Sequence, residues 1–306
     1  MFEHVMHLCD LSRASFKALE WAAGLSSHFG SHLKVVHAVE WSPEKGGAWT
    51  ADEARRRIRA QVSEAFEAVD PERREMGLAN VEIEVIEGRP VETLLGAIDR
   101  DDPDLVVMGT SGLSDFPHVL MGSVAEKIVR HSPAPVLVTR KQSDWPPRSV
   151  LLPVDFSGPA AETFALAETL ASRVPLRFCL IHVVTPIPPA VRPFALSSND
   201  LIDGLSPREK GAIEKLEGLQ ASHPELEMTY CLPLGPAADQ ICRTAADMKS
   251  DLILIPTHSR SGLNRFLMGG VAEQVVRYAP CAVLSHCPKA SVSYRRRIVR
   301  KNHVRR

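Results

Sequence analysis

The chain has 306 residues, 44% hydrophobic and 24% charged, with a net charge of −1, which is length for two ordinary domains and a globular rather than a disordered or fibrous composition. No apolar run reaches the roughly 20 residues of a membrane-spanning helix, and the opening residues lack the charged, apolar and cleavage regions of a secretory signal, so a cytoplasmic location is expected. The six cysteines form no Cys-x-x-Cys pair, which excludes a zinc ribbon or a thioredoxin-type motif and fits a reducing compartment.

In chain order, residues 4–9 read as a short apolar strand. Asp10-Leu-Ser12 follows, and both polar side chains suit a helix N-terminus. Residues 12–29 are that helix: Phe16, Leu19, Ala23 and Phe29 share a face, and Gly30 stops it. Residues 33–39 form a second strand and 51–69 a charge-rich second helix. Residues 81–86 alternate apolar and acidic side chains, the pattern of an exposed or edge strand. A helix over 91–99, a buried strand over 105–108, a helix over 124–130 and a closing strand over 136–139 complete the half. Such alternation implies a parallel sheet with right-handed crossovers and helices on both faces. Ligands in such sheets bind beyond the carboxyl ends of the strands, where strand order reverses. Asp10 and Gly109 both follow strands and are expected at that edge.

The most informative stretch is Gly109-Thr-Ser-Gly112, nine residues, then Gly122-Ser123. Glycines between a strand and a helix allow close backbone approach, and a helix N-terminus suits an anion such as phosphate. Each residue also has a structural reading. Asp10 and Ser12 can simply cap the first helix. Ser123-Val-Ala-Glu126 has the spacing of a capping box, which is compatible with a hydroxyl that also touches phosphate. Residues 113–121 contain no Lys or Arg. A triphosphate there would rely on backbone N–H groups, a metal ion and His118, with Asp115 repelling it unless a cation intervenes, so ADP and AMP stay open beside ATP.

The chain then repeats itself. Asp10-Leu-Ser12 matches Asp155-Phe-Ser157 and His37-Ala-Val39 matches His182-Val-Val184, both at an offset of 145. Gly88 matches Gly235, Asp104–Thr110 matches Asp251–Thr257, and Gly122-Ser-Val-Ala-Glu126 matches Gly269-Gly-Val-Ala-Glu273, all at 147. A period this constant marks a duplicated domain. Two domains are expected, over 1–142 and 149–288, joined by a Pro-containing linker at 143–148 and followed by a tail at 289–306. Residues 291–306 hold seven Arg or Lys and no acid. Such a tail reads as a solvated end, with no nucleic-acid or membrane contact expected of it.

These residues resemble the universal stress protein (UspA-like) family in its tandem form. The signature is a glycine, two residues, a glycine, nine residues and Gly-Ser, met at Gly109, Gly112, Gly122 and Ser123. The resemblance implies two doubly wound α/β domains of the adenine nucleotide alpha hydrolase-like kind, each a five-stranded parallel sheet in order 3-2-1-4-5. It implies ATP, or ADP or AMP, with Mg²⁺, bound by Asp10, Val39, Met108, Gly109, Gly112, Gly122, Ser123 and Val124. It also implies pairing through the last strand, as an internal pseudo-dimer of the two halves or as a homodimer.

The second loop departs from the signature. Pro256 replaces the first glycine and has no N–H to donate, Ser259 replaces the second, and Gly270 replaces the hydroxyl residue, while His258, Arg260 and Arg265 add donating groups. A weaker second site over Asp155, His258, Arg260, Gly269 and Gly270 is expected. No Walker A sequence, Gly-x-Ser-x-Gly elbow or zinc-spaced Cys/His cluster occurs, so neither a metal site nor a catalytic residue is expected. The leading expectation is a nucleotide-linked regulator of the stress response, in which nucleotide orders the 109–123 loop and alters a partner surface. A slow ATPase and a nucleotide-free interaction protein are the alternatives.

Overall fold

The computed structural model describes residues 2–40, 50–69, 80–110, 121–156, 160–185, 206–257 and 269–286. Gly112, Asp115, His118, His258, Arg260, Arg265, most of the 109–123 loop and the basic tail lie outside them.

In the first half, strand β1 (His4–Cys9) leads into helix α1 (Arg13–Phe29). The Ser12 side chain accepts the Ser15 N–H, and Gly30 closes the helix at φ 69 with its N–H on the Ser26 carbonyl. Strand β2 (His32–Val39), helix α2 (Ala51–Val69) and strand β3 (Val81–Glu87) follow. Helix α3 (Pro90–Asp101) begins on a proline, whose missing N–H costs nothing in a first turn. Strand β4 (Leu105–Gly109), helix α4 (Ser123–His131) and strand β5 (Val136–Thr139) end the half. The second half repeats the order as β6 (Ser149–Pro153), α5 (Ala160–Ala171), β7 (Arg177–Ile181), α6 (Pro207–Ser222), β8 (Glu227–Cys231), α7 (Ala237–Asp247), β9 (Leu252–Pro256), α8 (Gly270–Tyr278) and β10 (Ala282–His286).

The strands form one ten-stranded sheet in the order β3-β2-β1-β4-β5-β10-β9-β6-β7-β8. Each half is parallel, in the expected 3-2-1-4-5 order, with β3 at the outer edge as its alternating pattern implies. The halves meet antiparallel: Leu137 faces Leu284, Val138 faces Val283 and Val136 faces Ser285. Leu284 is the repeat partner of Leu137, so a local two-fold axis passes between them. The expected internal pseudo-dimer is therefore a continuous sheet.

Apolar side chains cover both faces. One core holds Trp21 and Phe66 of α1 and α2 with Phe164 and Leu216 of α5 and α6. The other holds Leu94, Ile128, Ile241 and Val276 of α3, α4, α7 and α8. The linker belongs to this packing. Trp145 meets Trp21 edge to face at 5.4 Å, Pro147 is buried, and the Trp21 indole N–H donates to the Ser143 carbonyl at 3.0 Å.

Polar groups also cross the seam. Glu126 and Arg130 of α4 face Arg277 and Glu273 of α8, with N–O distances of 3.1 Å (Glu126–Arg277) and 3.3 Å (Arg130–Glu273). Arg140, almost fully buried, donates to the Val276 carbonyl in the last turn of α8; desolvation lowers its pKa to about 10. No helix among the described residues is long and apolar enough to cross a membrane.

Candidate functional site

In each half the first strand lies between the second and the fourth, so strand order reverses at its carboxyl end. In the first half Cys9 pairs with His37 and Leu8 with Met108. That register puts Asp10, Val39, Met108 and Gly109 on one edge. The His37 ring fixes the end of β1 through Nδ1, 2.7 Å from the Cys9 carbonyl, and His182 does the same for Val154 at 2.8 Å.

Asp10 is exposed and structurally employed. Its Oδ1 accepts the Ser12 N–H at 2.9 Å, and its own N–H donates to Ser15 Oγ at 3.2 Å. Beneath it, His7 is fully buried between the Val107 carbonyl, 3.2 Å from Nδ1, and Ser15 Oγ, 3.4 Å from Nε2. Desolvation lowers the His7 pKa to about 4, so the ring is neutral, donating from Nδ1 and accepting at Nε2. The residue after each aspartate is left-handed, Leu11 at φ 62 and Phe156 at φ 56. That conformation costs a non-glycine residue roughly 1–2 kcal/mol. Both repeats hold it, which fixes how the aspartate leaves the strand.

Gly109 has a definite reason to be glycine. A Cβ there would lie 2.8 Å from the carbonyl carbon and oxygen of Ala14 and 3.0 Å from the Ser15 nitrogen. The close approach read from the sequence is thus between the end of β4 and the first turn of α1. Pro256 holds this place in the second half.

The capping box expected at Ser123 does not form. Gly122 is the N-cap, with no side-chain cap, and Ser123 is the first helical residue and exposed. The Gly122 N–H is held by the Thr110 carbonyl at 2.8 Å, and the helix starts from that anchor, one residue earlier than a serine cap would allow. Glu126 takes charge-assisted bonds instead, to Arg130 at 3.2 Å and Arg277 at 3.1 Å. Among the described residues no side chain caps the first-turn amides of α4, at the edge where Asp10 and Gly109 stand, with half-buried Val124 beside them.

In the second half a cavity of about 680 Å³ opens at the same edge. Asp155, Gly269 and Gly270 line it, as do Phe156, Phe164 and Lys215, which the sequence reading did not single out. The Phe156 ring lies 4.4 Å from the His182 ring, with Lys215 Nζ 5.2 Å from its centroid. Thr163, also in the wall, is 2.9 Å from Nε2 of buried His286, whose pKa desolvation lowers to about 4. Pro256 contributes no N–H here. Gly269 repeats the Gly122 anchor, donating to the Thr257 carbonyl at 2.8 Å. Behind Phe164, whose ring stacks on His223 at 4.1 Å, Glu168 and Glu225 approach the imidazole at 2.7 and 3.6 Å.

The model of the family described as "Universal stress protein family" matches the chain twice, over residues 1–140 and 147–285. The chain is similar to the universal stress protein Rv2005c of Mycobacterium tuberculosis, 27% identical over 288 residues that cover 90% of this chain and 94% of that one. Among solved structures it resembles a universal stress protein from Archaeoglobus fulgidus, with 21% identity, 94% and 99% coverage and a TM-score of 0.63. It also resembles the functionally unknown protein PA1789 of Pseudomonas aeruginosa, with 18% identity, 98% coverage of each chain and a TM-score of 0.68. At these identities the two structures speak to the fold.

Proposed function

Because the chain belongs to the universal stress protein family, we propose that its N-terminal half binds an adenine nucleotide, ATP with Mg²⁺ foremost, and that the protein acts as a nucleotide-linked regulator rather than as an enzyme. The observation that carries this reading is the start of α4. Its first-turn amides, which no described side chain caps, stand at the switch point beside Asp10, preceded by a glycine pattern that keeps both glycines and the Ser123 hydroxyl. Unpaired helical N–H groups and the positive end of the helix dipole favour phosphoryl oxygens. Asp10 and Val39, at the ends of the neighbouring strands, border the adenine end, while Met108, Gly109 and Gly112 follow the ribose and phosphates.

Regulation requires only that a partner or oligomer surface differ in affinity between bound and free states. The second half carries the same frame with its phosphate end altered by Pro256 and Gly270, so its contribution is the weaker one.

Mass spectrometry of small molecules released from freshly purified protein tests the reading, and an adenine nucleotide is the expected product. Ligand added at a hundred times its Kd stabilises the folded state by about 2.7 kcal/mol, so Tm rises with nucleotide and Mg²⁺. The rise disappears in Gly112→Val. A chain that releases no nucleotide and whose Tm is unmoved by ATP, ADP or AMP does not have this function. Steady ADP formation lost in Asp115→Asn would move the assignment to a slow ATPase.

A further inference from the structure

We propose that Cys179 and Cys231 form an oxidation site, at which hydrogen peroxide converts the two thiols into a disulfide tying strand β8 to strand β7. The two sulfurs lie 3.8 Å apart, in contact. They stand on neighbouring parallel strands two residues out of register, Cys179 facing Thr229 and Cys231 facing Ile181.

The duplication shows what this diagonal does. By the repeat offsets, Cys179 corresponds to Lys34, Cys231 to Glu84 and Thr229 to Glu82. In the first half Lys34 Nζ lies 2.9 Å from Glu84, 2.9 Å from Glu82 and 3.0 Å from Asp101. Ion pairs there hold the edge strand β3 to β2. The second half keeps the cross-strand contact at the same two positions and makes it from thiols, so its strength depends on oxidation state.

The chemistry favours this pair over the other described cysteines. Contact between the two sulfurs lowers the Cys179 thiol, and the Cys231 thiol is pushed up in turn. Burial pushes Cys9 and Cys242 up to about 11 and Cys281 up to about 12. Two sulfurs in contact share one proton, so the pair gives up its first proton more readily than an isolated buried thiol, and Cys179 is the nucleophile. Its sulfur attacks one peroxide oxygen, the O–O bond breaks, and the departing hydroxide takes up a proton as water. Cys179 is then a sulfenic acid. The Cys231 sulfur attacks that sulfur, the S–S bond forms, the S–O bond breaks, and the leaving hydroxide takes the Cys231 proton as a second water. Two thiols and one peroxide become one disulfide and two waters.

Closure brings the sulfurs from 3.8 Å to about 2.05 Å. A two-residue diagonal is long for a disulfide, so the strand end must move. Cys231 is the last residue of β8, which among the described strands is outermost and pairs on one side. A bond closed under strain is readily reduced, the behaviour of a reversible site. Ile181, opposite Cys231, lines the second-half cavity, so closure acts on that wall.

The test is peroxide treatment of the full chain, a denaturing quench with N-ethylmaleimide, and tryptic mapping. Cys179 falls in residues 178–208, because Pro193 blocks cleavage after Arg192, and Cys231 shares residues 216–243 with Cys242. The expected result is a cross-linked pair of these peptides, retained in Cys242→Ser, lost in Cys231→Ser and reversed by dithiothreitol. Cys231→Ser, shown folded by circular dichroism, removes both the partner sulfur and the contact that lowers the Cys179 thiol, so the bridge is lost and Cys179 oxidises more slowly. Maleimide on both Cys179 and Cys231 after peroxide, or a bridge that uses a different cysteine, overturns the proposal.

Discussion

Two buried histidines link this fold to pH. His7 in β1 and His286 in β10 are both neutral because burial lowers their pKa from 6.5 to about 4. The unfolded chain protonates them near pH 6.5, before the folded chain can. Between 6.5 and 4 the unfolded state binds more protons, so stability falls as the pH falls through that window and is fully present above it. Each shift corresponds to roughly 3 kcal/mol. Urea midpoints measured downward from neutral pH should drop through this range, and His286→Gln should show a flatter dependence than the parent. An unchanged slope in that variant would mean that another group drives the acid transition.

At the scale of elements, the β4–α1 contact is the tightest constraint near the candidate site. Gly109→Ala would press a methyl against the Ala14 carbonyl at 2.8 Å, and backbone cannot rotate away as a side chain can. Overpacking of this kind costs typically 1–3 kcal/mol, so the variant should unfold at lower urea even without nucleotide. If its stability matches the parent, the glycine serves the ligand alone. Most elements were legible in the sequence because their signals are local: the alternation of β3 and the face of α1 ending at Gly30. Ser123 misled because a capping box and a glycine N-cap share one local pattern, and the choice between them was made by Thr110 and Arg277, which no short window contains. Cys179 and Cys231 escaped notice because strands 52 residues apart bring them together. The prolines mark the linker, yet nothing local shows that Trp145 and Pro147 are drawn into the gap between the halves.

At the scale of the molecule, the duplication explains the sheet. The β5–β10 pair is self-complementary: Leu137 and its repeat partner Leu284 face each other, and so do the residues on either side. A first half expressed alone, residues 1–142, would expose β5 as an unpaired apolar edge. It should pair with a second copy through Leu137, and analytical ultracentrifugation should find a dimer that Leu137→Lys turns into a monomer. A monomeric first half with β5 intact would show that the linker and α8, rather than the strand edge, hold the halves together.

The antiparallel seam has one more consequence. Because the strand direction inverts between β5 and β10, the two carboxyl rims point to opposite ends of the sheet. No small molecule can bridge the two rims. A change at one rim reaches the other through the shared strands, the two apolar cores that span the seam and the α4–α8 contact.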